Sequence, residues 1–90
     1  MRHATSDDLV AVAPLIAELR SVSGLVERTP GTFYRRSRAF LHFHADEAGM
    51  YADIRLQGDE FERVPVDSSA AQQALLRQVR IAVGEETTPA

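Results

Sequence analysis

The chain has 90 residues, 44% hydrophobic and 26% charged, with a net charge of −3; this supports one folded domain and argues against disorder and generic polyanion binding. The absence of cysteine excludes disulfides, thiolate metal sites and cysteine nucleophiles. A chain this short buries only roughly 60–65% of its unfolded surface, which leaves little room for a deep private pocket.

All ten basic residues are arginine, and lysine and asparagine are both missing. Their codons are A-rich, so the composition suggests a GC-rich bacterial genome such as an actinobacterial one. The N-terminus has no apolar core for a signal peptide, and no apolar run approaches the roughly 20 residues needed to span a bilayer. A cytoplasmic protein with no membrane contact is expected.

Ser6, followed by Asp7 and Asp8, reads as a helix start, because a side-chain acceptor and negative charge suit the free amides of a first turn. Leu9, Val12, Ile16 and Leu19 recur at helical spacing and predict a buried stripe running to about Val22, with Gly24 as the stop. Pro14 lacks an amide, so the helix either kinks there or begins near it. Thr29-Pro30-Gly31 marks the segment from Leu25 to Gly31 as a loop.

Strands follow. Thr32 to Arg35 is short and aromatic, Arg36-Ser37 is a tight turn, and Arg38 to Ala45 is a longer strand. Asp46 to Gly49 forms the next turn and Met50 to Leu56 the third strand. Gly58-Asp59 turns into a fourth strand from about Glu60 to Val64; Phe61, Val64 and Val66 break a single parity there and call for a bulge, and Pro65 predicts an edge position. Ser69 with Gln72 resembles a capping box, and Leu75, Leu76, Val79 and Val83 supply the stripe of a last helix that stops at Gly84.

The expected fold is α+β: an antiparallel meander of three to four strands with N- and C-terminal helices packed on one face. Residues 1–84 would form a single domain, with 85–90 a flexible tail. A four-residue turn pairs Ala45 with Met50, Phe43 with Ala52 and Leu41 with Ile54 on the core face. It sets His44 against Tyr51, His42 against Asp53 and Phe40 against Arg55 on the open face.

That open face is the candidate working surface, composed of Phe33, Phe40, His42, His44, Tyr51, Asp53 and Arg55. An aromatic, half-polar sheet face on a small domain is what a homodimer buries, so a non-catalytic, homodimeric interaction module is the favoured reading. Two histidines repel when both are protonated, so such a dimer would weaken towards pH 5. No cofactor is expected, and the residues assign no small-molecule ligand.

The alternatives share these residues. His42 and His44 emerge on one side of a strand with Asp53 across the ladder, a set that could hold a metal ion or carry acid–base chemistry, although a plain cross-strand His–Asp pair is the simpler explanation. Ser37 completes a Ser/His/Asp triad only on paper, since it sits in a turn away from His42. Arg28, Arg35, Arg36 and Arg38, interleaved with aromatics, make a nucleic-acid or phosphate surface conceivable on an otherwise acidic protein.

The order of a helix, a short aromatic strand and a tight turn reading Ser37-Arg38-Ala39-Phe40-Leu41, followed by a hairpin, resembles the MmcQ/YjbR-like family of small bacterial α+β proteins. In that family the turn reads Gly-Lys-x-Phe-Ala. The likeness spans residues 9 to 56 and implies a contact role for the arginine cluster without bringing catalytic residues.

Overall fold

The computed structural model describes residues 2–56 and 58–84 and has the α+β architecture expected, an antiparallel meander with helices against one face. The proposed tail, 85–90, lies outside the described residues.

Thr5, one residue earlier than expected, caps the first helix. Its hydroxyl accepts from the Asp8 amide at 3.3 Å, while Asp8 Oδ2 accepts from the Thr5 amide at 2.9 Å, closing a reciprocal capping box. Helix α1, Ser6–Leu9, then passes through a 3₁₀ turn, Val10–Val12, into α2, Ala13–Arg20. This break places Pro14 in the first turn of α2, where its missing amide costs no helical hydrogen bond. Val12, Leu15, Ile16 and Leu19 are buried.

The segment expected to be a loop is instead largely strand β2, Leu25–Thr29, paired antiparallel with β3, Thr32–Arg35. Pro30 and Gly31 sit between them, and Gly31 has φ 79°, so Thr-Pro-Gly closes a hairpin rather than marking irregular chain. Glu27 secures this corner by accepting from the Gly31 amide at 2.9 Å and pairing with Arg20 on α2. A short strand β1, Arg2–His3, pairs with Ala45 and His44 of the long strand β4, Arg38–Asp46, beyond the end of β3.

Strand β4, Arg38–Asp46, and β5, Gly49–Ile54, pair in the register predicted from sequence, with Leu41 opposite Ile54, His42 opposite Asp53, Phe43 opposite Ala52, His44 opposite Tyr51 and Ala45 opposite Met50. Asp46 organises the turn by accepting from the amides of Ala48 at 2.8 Å and Gly49 at 3.1 Å. Glycine is required at position 49: φ is 147°, and a Cβ would lie 2.5 Å from the Asp67 carboxylate, which accepts from the Met50 amide at 2.8 Å.

Strand β6, Glu62–Pro65, lies at the sheet edge, as Pro65 implied, but starts two residues later than expected. Its ladder with β5 runs without a bulge, because Phe61 precedes the strand and imposes no parity on it. Helix α3, Ser69–Ala82, is capped by Ser68 rather than Ser69; the Ser68 hydroxyl accepts from the Ala71 amide at 3.1 Å. Gln72 donates instead to the Val66 carbonyl at 2.9 Å.

The core lies between the helices and one sheet face, joining Leu15, Leu19, Leu75 and Val79 to Leu41, Phe43, Ala52 and Ile54. Phe33 and Phe40 belong to this core, at 0% and 3% exposure, and not to the open face where alternation placed them. Phe33 pairs with Leu41 and so shares the core side. Phe40 turns inward because β4 carries an extra residue there: Tyr34 pairs with Ala39 but Phe33 with Leu41, a bulge that sends consecutive side chains to one side. Among the described residues, no helix is long and apolar enough to cross a membrane.

Burial of Phe40 predicts that Phe40→Ala lowers unfolding free energy in denaturant titration by about 3–5 kcal/mol. A loss below about 1 kcal/mol would mean that the ring faces water.

Candidate functional site

Strand alternation sends His42 and His44 out on the side of the sheet opposite the core, and the β5 register brings Asp53 and Tyr51 beside them. The β6 ladder then sets Arg63 opposite Asp53, so His42, Asp53 and Arg63 form one row across three strands.

Asp53 is the only buried charged residue among those described, at 7% exposure. Both of its oxygens are engaged: Arg63 Nε donates to Oδ1 at 2.8 Å and Nη2 to Oδ2 at 3.0 Å, a forked pair that compensates the carboxylate for leaving water. His44 Nε2 lies 3.2 Å from the same Oδ2 and 3.0 Å from His42 Nδ1. One tautomer choice satisfies both contacts, with the His44 proton on Nε2 shared between the two acceptors and the His42 proton on its outer nitrogen.

Phe61 covers the other end of this chain. Its ring meets His42 edge to face at 5.0 Å between centroids, and the Arg55 guanidinium lies 4.3 Å above it. A continuous series of contacts therefore runs from Arg55 through Phe61, His42, His44 and Asp53 to Arg63. Arg63 and Phe61 were missed in the sequence; the alternation of Glu62, Arg63 and Val64 was the available signal, and it becomes useful only once β6 is known to begin at Glu62.

The hydrogen bonds from Arg63 chiefly hold the Asp53 carboxyl below the usual carboxylate range; burial opposes them, and the nearby histidines add to the lowering. Because the folded-state value is depressed, Asp53 contributes stability above the ordinary carboxylate pKa and loses it as pH falls through the lowered one.

His42, His44 and Asp53 offer three metal-type donor atoms within 4.8 Å of one another. A cation entering there would compete with the Arg63 guanidinium for both carboxylate oxygens, and the geometry favours the hydrogen-bonded chain over a metal centre. Acid–base work by His42 lacks an enclosing cleft, since the group lies on an open sheet face. Ser37 lies in the β3–β4 turn, five residues and about 16 Å of strand from His42.

The arginines divide into two groups. Arg35, Arg36 and Arg38 come together with Arg55 around one hollow, whereas Arg28 lies over the Tyr34 ring at 4.8 Å, outside that lining. No family model, curated protein or solved structure matches the chain.

Replacing Arg63 with Gln should raise the Asp53 pKa towards its ordinary value of about 4, as read by carboxyl-carbon NMR titration, and move acid unfolding to higher pH. An unchanged Asp53 titration would show that the forked pair does not form in solution.

Proposed function

We propose that the chain is a small, non-catalytic, cytoplasmic interaction module that pairs with a second copy of itself through the helix-free face of its sheet. The observation carrying this reading is the asymmetry of the two faces: α2 and α3 cover one, while the other presents half-buried Tyr34, His42, His44 and Tyr51 together with exposed Val26 and Phe61. The sequence predicts a face of Phe33, Phe40, His42, His44, Tyr51, Asp53 and Arg55, of which Phe33 and Phe40 lie in the core instead. With both in the core, the contact surface is Val26, Tyr34, His42, His44, Tyr51 and Phe61.

A two-fold arrangement suits this face. Val26 pairs with Tyr34 at the β2 edge, and Phe61 stands just before β6 at the opposite edge. An axis lying between the two faces and parallel to the strands brings the β2 edge of one copy onto the β6 edge of the other, setting Val26 and Tyr34 against Phe61 twice. The histidines then lie near the axis, where neutral rings stack readily and a fully protonated set repels.

Sedimentation equilibrium should give a dimer at pH 7.5 whose affinity falls as pH approaches 5. Val26→Glu or Phe61→Glu, both at exposed sites, should weaken association at least about 10-fold, or 1.4 kcal/mol, without loss of secondary structure. A wild-type chain that stays monomeric at about 1 mM would end this reading.

A further inference from the structure

Four of the ten arginines gather where the β3–β4 turn approaches the end of β5. Arg35, Arg36, Arg38 and Arg55 line a hollow of about 200 Å³ whose apolar wall includes Phe40 and Leu56, and among the described residues no carboxylate lines it. This concentration of positive charge stands on a chain whose net charge is −3.

Two local features are unfavourable as they stand. Arg35 and Arg38 are direct cross-strand partners at the closing pair of the hairpin, where like charges oppose pairing and an opposite charge would have supported it. In addition, the Arg55 Nε is buried and has no hydrogen-bond partner among the described residues, which leaves a strong donor unmet. Arg38 has a counterion, Asp59, through one exposed contact at 3.0 Å, which water screens heavily. An oxyanion in the hollow would answer both features, because it accepts from several guanidinium groups at once and cancels the repulsion across the hairpin.

We propose that this hollow binds a compact oxyanion of the phosphate class, held by Arg35, Arg36, Arg38 and Arg55. The size of the hollow sets the ligand class: about 200 Å³ accommodates a phosphoryl group with its waters but falls short of the roughly 300–1,000 Å³ of sites for larger organic ligands. Charge disfavours a nucleic-acid polymer, since the chain is acidic overall and the Asp59 carboxylate stands 3.0 Å from Arg38, beside the hollow. The site lies at the turn end of the sheet and requires no second copy.

The test is a titration of the isotope-labelled chain with inorganic phosphate, and in parallel with glycerol phosphate, against sodium chloride of matched ionic strength. Saturable shifts confined to the amides of 35–40 and 55–58 and to these arginine side chains, with a dissociation constant at or below about 1 mM, are expected with one or both ligands. The ligand that binds tighter identifies free phosphate or a phosphomonoester as the source. The double substitution Arg36→Gln, Arg38→Gln, at exposed positions in and beside the turn, should weaken binding at least about 10-fold, while Arg77→Gln on α3 leaves it unchanged. Shifts no different from chloride, or equal affinity in the double variant, overturn the proposal. So does much tighter binding of a single-stranded oligonucleotide with a salt dependence of several charges, which would indicate a nucleic-acid surface.

Discussion

The pairing of β4 with β5 is the constraint on which the rest of the molecule depends. A slip of one residue would turn one strand over relative to the other, moving either Leu41 and Phe43 or Ile54 into water and driving either His42 and His44 or Asp53 beneath the helices. Each large apolar side chain exposed would cost about 1.5–3 kcal/mol, so the two from β4 alone take a large share of the roughly 5–15 kcal/mol by which a typical domain is stable. The alternative register is therefore closed to a folded chain. The turn reinforces this choice, since Asp46 and Asp67 hold the backbone amides around a Gly49 that has no room for a side chain.

From this register follows an open face that is polar and whose buried carboxylate is fully paired. Asp53 is buried on the side away from the helices, and Arg63 from the edge strand answers its charge. The pair ties β6 to the centre of the sheet through side chains as well as through its ladder. Edge strands are prone to unwanted pairing, and here the edge carries Pro65 and a committed arginine that limit it. Positive charge not committed in this way collects at the β3–β4 turn, so the two ends of the face differ in chemistry.

The central hairpin was legible because strict alternation around one glycine turn leaves a single register compatible with burial. Phe33 and Phe40 were not, for a definite reason: a bulge adds one residue to β4, and an alternation count carried past it assigns the wrong side to everything beyond. Strand β2 was hidden by Thr29-Pro30-Gly31, whose composition suits a loop and a two-residue hairpin turn equally well. Both caps fell one residue from their expected places, where adjacent Thr5-Ser6 and Ser68-Ser69 offer nearly equivalent hydroxyls. The histidine pair and Asp53 were placed correctly by parity. Their partners Arg63 and Phe61 depended on where β6 begins, which Gly58, Asp59 and Pro65 bracket without locating.

The most direct test of the central claim, that even positions 42 and 44 and odd positions 51 and 53 emerge together on the helix-free side, is a side-chain nuclear Overhauser map of the isolated chain. The account predicts cross-peaks from the His42 ring to Phe61, from His44 to Tyr51, and from the Leu41 and Ile54 methyls to α2 and α3. His42 in contact with Leu19 or Leu75, or Leu41 lacking contacts to either helix, would contradict it.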